Sequence, residues 1–180
     1  MINKTTTFSL LFSLVFIFSC GSPQSKMREM IKEAEKGLLT DSTFSPDALE
    51  AKKLIGLYDQ YAKQFPADTL SAEYLFKAGE ISAGINDPLA GIDYYDRLYK
   101  NYPGYNKAPV ALFLQGFIYE NQLGRLDEAK SIYQQFLERY PEHPIASDVS
   151  VSLDNLGKSP EELMEMFQAQ QEERDSLSSL

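Results

Sequence analysis

The feature that most limits what this chain can fold into is a pattern between Ala72 and Pro141 that returns after thirty-seven or thirty-eight residues. Gly79, Gly91 and Pro103 fall twelve residues apart, and Gly116, Ala129 and Pro141 follow at spacings of thirteen and twelve. The neighbours match as well: Leu75-Phe76 answers to Leu112-Phe113, Ile81 to Ile118, Tyr95 to Tyr133 and Leu98 to Phe136. The segment Arg97 to Pro103 is close to a copy of Gln135 to Pro141, and a third copy, Gln60 to Pro66, lies upstream. Such a period marks stacked supersecondary units. Each unit reads as two amphipathic helices that meet at a small residue, with a proline that stops the second. One unit cannot bury its apolar faces alone, whereas stacked neighbours can.

These positions carry a resemblance to the tetratricopeptide repeat, with its large apolar residue, Leu-Gly, Tyr, Ala, aromatic and Pro. Leu75, Gly79, Gly91, Tyr95 and Pro103 match one unit, and Leu112, Gly116, Tyr119, Ala129, Tyr133 and Pro141 match the next. Trp is absent, Ser82 stands where Tyr is usual, and the period exceeds the usual value of about 34. The longer period resembles the repeats of bacterial envelope lipoproteins involved in outer-membrane assembly and in the Tol-Pal system. The resemblance implies an all-α fold, a right-handed helical-hairpin solenoid of about three repeats with a C-terminal capping helix. It also implies a concave groove lined by the first helix of each repeat. Carried over by position, the groove residues are Phe76, Glu80, Ala83 and Gly84 in one unit, and Phe113, Phe117, Glu120 and Asn121 in the next. Ala78, Gly79, Gln115 and Gly116 are expected to face the partner helix. Such a groove is aromatic with acidic edges and suits an extended apolar or mildly basic segment. The competing expectation is that Phe113 and Phe117 pack against a neighbouring helix. The Lys-Asn carboxylate clamp of some relatives is absent.

Residues 1–19 read as a targeting segment outside the fold: Lys4 supplies the positive region, and Phe8 to Phe18 is an apolar run too short to span a membrane. It ends in Ile17-Phe18-Ser19-Cys20-Gly21, which resembles the lipobox of bacterial lipoproteins, where the cysteine becomes the lipidated N-terminus. Cys20 is the only cysteine, so an intramolecular disulfide is impossible. The alternative is an ordinary secretory peptide with an incidental cysteine. Gly21 to Lys26 lacks an acidic cluster, which by resemblance to sorting signals favours the outer membrane and a periplasm-facing domain.

The remaining chain divides into a lipidated linker at 20–25, a degenerate first hairpin at 26–66, repeats at 67–103 and 104–141, a partial repeat with capping helix at 142–174 and a frayed tail at 175–180. Lys26 to Leu39 is expected to be helical, with Met27, Met30, Ile31, Ala34 and Leu38 on one face. Thr40 to Phe44 reads as a loop, and Ser45-Pro46-Asp47 as the start of a helix that buries Leu54, Leu57, Tyr58 and Tyr61. Asp68 to Asn86 opens the first clear repeat, and Asp87-Pro88 caps its second helix, whose stripe is Leu89, Ile92, Tyr95, Leu98, Tyr99 and Tyr102. Tyr105 to Leu123 and Gly124 to Tyr140 form the next pair, with a tight reversal at Gly124. Ile145, Val149, Leu153 and Leu156 are the apolar positions of the next helix. Ser159 to Glu162 is a capping box, and Leu163, Met166 and Phe167 share a face beyond it.

The inventory offers little for catalysis. His143, the one histidine, lies in a Pro-Glu-His-Pro turn and is expected to be an exposed structural residue. With no cysteine beyond Cys20, thiol catalysis and thiolate metal sites are not expected, and Gly-Lys-Ser at 157–159 lacks the upstream glycine of a phosphate loop. No catalytic residue, metal site or cofactor is expected. A net charge of −9 argues against nucleic acid. The reading is a non-enzymatic interaction scaffold of the bacterial envelope, anchored through lipid on Cys20 and binding another envelope protein or peptide segment. The alternative is a glycan- or small-molecule-binding lipoprotein.

Overall fold

The computed structural model describes residues 22–40 and 48–178. The targeting segment, Cys20, the loop beyond Thr40 and the Ser45-Pro46-Asp47 cap lie outside these residues. Eight helices follow in order: α1 (Pro23–Thr40), α2 (Ala48–Gln64), α3 (Thr69–Gly84), α4 (Pro88–Asn101), α5 (Ala108–Asn121), α6 (Leu126–Arg139), α7 (Ala146–Asp154) and α8 (Pro160–Ser178). No strand occurs among the described residues. From α1 to α7 each helix packs on the next, which gives a helical repeat solenoid with hairpins α1–α2, α3–α4 and α5–α6.

The repeated small residues explain the close approach within each hairpin. A Cβ placed on Gly79 would lie 2.6 Å from the Tyr95 ring, and one on Gly116 would lie 2.6 Å from Tyr133. Both rings are buried, so neither can move aside. The two glycines are therefore floors for two tyrosines at the same repeat position. Gly91 sits against the Gly79 carbonyl and the Ile118 side chain, each 3.3 Å from its would-be Cβ, and Ala129 fills the equivalent place in the next unit with no exposure. Ala78 and Gln115 are buried beside the glycines, as expected.

Local chemistry sets the turns. Asp68 precedes α3 and its Oδ1 accepts from the Leu70 N–H at 3.0 Å, an N-cap that satisfies a free helix donor. Asp87 does the same for Ala90 at 3.4 Å, with Pro88 following in the first turn of α4. Gly124 holds φ at +63°, and the reversal at this point uses the conformation glycine tolerates best. At α8 the capping box forms in full: the Glu162 N–H donates to Ser159 Oγ at 3.2 Å, and the Ser159 N–H donates to Glu162 Oε2 at 2.7 Å.

Three expectations about buried stripes need correction. Leu89 is 61% exposed, because it stands about 120° around α4 from Tyr95 at roughly 100° per residue. Met30 is 56% exposed, about 100° from the buried Ile31. Phe167 is 62% exposed, since α8 makes no extended contact with another helix. The helix starts also shift: α1 begins at Pro23 rather than Lys26, and α5 at Ala108 rather than Tyr105. The segment from Tyr102 to Lys107 is instead a turn, closed by the Tyr105 N–H on the Tyr102 carbonyl and the Ala108 N–H on the Tyr105 carbonyl.

His143 is half-buried rather than exposed. Its ring meets Phe136 edge-on at 5.6 Å, and its Nδ1 accepts from the Ile145 N–H at 3.3 Å, so it closes the turn into α7.

Candidate functional site

The faces of α3 and α5 differ in what they leave open. On α5, Phe113 is half-buried and stacks on Tyr133 at 5.7 Å with an interplanar angle of 26°. Phe117, one turn on, keeps its ring 6.2 Å from Phe113 and is 44% exposed. The pair is thus split: Phe113 packs inward, and Phe117 offers an aromatic ring to solvent beside it. Glu120 accepts from the Tyr133 hydroxyl at 2.7 Å, and the Asn121 amide donates to the Phe117 carbonyl at 3.0 Å. These bonds fix the polar residues around the aromatic pair.

On α3 the arrangement is different. Phe76 does not line an open surface: it is 4% exposed, its ring lies 5.5 Å from Tyr95, and the Lys107 ammonium sits 4.3 Å from its centroid. The turn before α5 brings Lys107 over a ring that the repeat pattern alone leaves uncovered. Glu80 is exposed, and it borders a cavity of about 360 Å³ between α1, α2 and α3. Leu38, Leu54 and Ile81 form the apolar wall of this cavity, with Glu35 and Lys77 as polar groups beside Glu80.

Glu35 centres a network that the sequence pattern did not predict. One carboxylate oxygen accepts from the Tyr58 hydroxyl at 2.7 Å and from the Lys77 ammonium at 2.8 Å. Burial pushes the Glu35 carboxyl up, but the bonds from Lys77 and Tyr58 outweigh it and hold the group below its ordinary value. Lys77 also pairs with Glu73 at 3.3 Å and lies 5.9 Å from the ring centroids of both Tyr58 and Tyr74, which stack on each other at 5.0 Å. The signal for this site was the repeat itself, because Tyr58 stands thirty-seven residues before Tyr95. Burial raises the hydroxyls of Tyr58, Tyr95 and Tyr133 well above the usual range, and a carboxylate on the preceding helix adds to each: Glu35, Glu80 and Glu120. All three tyrosines are therefore neutral at physiological pH, and Tyr58 and Tyr133 donate to an acid. Among the described residues no group of three or more His, Cys, Asp or Glu side chains is placed to hold a metal ion, and no helix is long and apolar enough to cross a membrane.

The family model of the tetratricopeptide repeat matches residues 110–143, which take in most of α5, all of α6 and the turn that follows. No curated protein matches the chain. The matched span contains Phe113, Phe117, Glu120 and Asn121, so the exposed aromatic ring lies on the first helix of a recognised repeat.

Proposed function

We propose that this tetratricopeptide-repeat chain is a non-enzymatic interaction scaffold of the bacterial cell envelope. Lipid on Cys20 anchors it, and a concave groove formed by α3 and α5 takes an extended segment of another envelope protein. The observation that carries the groove is Phe117. A large aromatic ring with 44% exposure, backed by Phe113 and edged by Glu120 and Asn121, is an anchor for a partner side chain rather than part of the core. Glu80 and Glu120 favour a mildly basic segment. The lipobox-like Phe18-Ser19-Cys20-Gly21 supports the anchor, and the absence of an acidic cluster in Gly21 to Lys26 supports an outer-membrane position facing the periplasm.

Affinity capture from detergent-solubilised envelopes tests the reading. The bait is the chain from Gly21 onward, beside a Phe117→Glu variant shown by circular dichroism to stay folded. A protein held by the first bait and lost with the second supports the groove. Equal retention by both baits counts against it. A second reading, capture of a glycan or small molecule, rests on the cavity of about 360 Å³ lined by Leu38, Leu54 and Ile81. Sugar-dependent stabilisation without any protein partner would favour that reading.

A further inference from the structure

The stack is pinned where the chain enters it. In the first turn of α1 the Gln24 amide donates to the Tyr61 hydroxyl at 3.2 Å and to the Asp68 carboxylate, and the Tyr61 hydroxyl donates to Asp68 Oδ2 at 2.6 Å. The start of α1 is thereby fixed against the α2–α3 turn. The same edge continues through the stack. The Tyr102 hydroxyl, in the α4–α5 turn, donates to the Pro66 carbonyl at 3.0 Å, and Arg139, at the end of α6, donates to the Tyr99 hydroxyl at 2.8 Å. Up-and-down order places the starts of α1, α3, α5 and α7 along this edge. The α3–α4, α5–α6 and α7–α8 turns form the opposite one.

Charge divides between the two edges. With four helical residues taken on either side of each turn, segments 22–26, 61–72, 98–111 and 136–149 hold five basic residues, Lys26, Lys63, Lys100, Lys107 and Arg139, with Arg28 just beyond, against four acids, Asp68, Glu138, Glu142 and Asp148. Lys63 and Lys100 pair with Asp59 and Asp96, one turn deeper in their own helices. At the opposite edge, counted to the same depth, segments 37–40, 48–51, 81–91, 118–129 and 151–163 hold two basic residues against eight acids. A chain of net charge −9 thus presents one edge of slightly positive balance, and that edge carries Pro23, three residues after Cys20 in the sequence. Three residue steps separate Cys20 from Pro23, a reach of at most about 11 Å even when fully extended. That is about one Debye length at physiological salt.

We propose that the edge formed by the α2–α3, α4–α5 and α6–α7 turns lies against the lipid surface that holds the acyl chains of Cys20. The inference rests on the lipid-anchor reading above. A short tether fixed by Gln24 leaves the domain little freedom to turn over, and anionic headgroups meet Arg28, Lys107 and their basic neighbours. The acidic edge, with Asp87, Asp127 and Glu128, then points away from the membrane, and the α3 and α5 faces open sideways to a partner.

The test couples the chain starting at Cys20 to a maleimide-headgroup phospholipid in nanodiscs, a specific reaction because no other cysteine is present. A gadolinium-chelating lipid in the same disc broadens nearby amide signals. Ala67, Gly104 and Glu142 should lose their signals while those of Asn86 and Gly124 persist. Loss at Asn86 and Gly124, or equal broadening at both edges, would overturn the orientation. The contrast should sharpen when neutral lipid is replaced by anionic lipid, and an Arg28→Gln, Lys107→Gln variant should lose that gain; an unchanged gain would refute the role of charge. The anchor is judged separately, by the mass of the N-terminal peptide of protein purified from membranes. An unmodified Cys20 there overturns the anchor, whereas an acylated Cys20 with the wrong edge broadened overturns only the orientation.

Discussion

At the residue scale, glycine does opposite things in this chain depending on what faces it. Gly116 supports the Tyr133 ring at a distance no Cβ can share, whereas Gly56, mid-way along α2, has nothing within 4 Å of its would-be Cβ. Gly116→Ala should therefore destabilise the fold by about 1–3 kcal/mol, because a buried ring must shift. Gly56→Ala should stabilise it by roughly 0.5–1 kcal/mol through helix propensity alone. Urea unfolding of the two variants checks both signs. Glu35 supplies a second residue-level prediction. Its folded carboxyl sits below the ordinary value of 4.5, so its stabilising contribution is fully present above that value and is lost as the pH falls through the lowered one. Glu35→Gln should cost about 1–3 kcal/mol near neutrality, the worth of hydrogen bonds to a charged group, and should flatten the acid limb of the stability curve. Unfolding measured from pH 7 down to pH 3, for the native chain and the variant, gives the comparison.

At the scale of elements, the hairpins are not equally held. Buried side chains run continuously from α2 to α7, and α5 is enclosed by α4 on one side and α6 on the other. By contrast, α8 is exposed along most of its length, and Met164, Phe167 and Leu177 are open. A chain ending at Ser159 should keep the unfolding free energy within about 1 kcal/mol of the full chain. Amide exchange in α8 should also be faster than in α3 to α6. Equal protection throughout would mean that α8 is held as firmly as the stack. Legibility in the sequence follows the same gradient. The α3–α4 and α5–α6 hairpins could be read from Gly79, Tyr95, Gly116 and Tyr133, because a small residue beneath a large one recurs at a fixed spacing. The first hairpin was only half-legible: Leu54 occupies the place of Gly91, and its packing instead comes from Tyr58, Tyr61 and Tyr74 meeting across two hairpins. Within the candidate site, Phe117 and Glu80 lie open, but Phe76 does not. It is buried in the main core beside Tyr95, and Lys107, from a turn outside the repeated positions, lies over its ring. Periodicity reports which face a residue shares, and it does not report what a neighbouring turn lays over that face.

At the scale of the whole molecule, the proposed function rests on the surfaces that the stacked helices present. The proposed arrangement assigns three of them: a basic edge to lipid, an acidic edge away from it, and the α3 and α5 faces to a partner segment. The Phe117 ring is the point where partner contact should be most direct. A photo-reactive phenylalanine analogue placed at position 117 in living cells tests this, beside one at Lys130, an exposed position on α6. A discrete crosslinked protein should form from position 117 and be absent from position 130. The same crosslinks from both positions, or none from position 117, would contradict partner contact at the Phe117 ring.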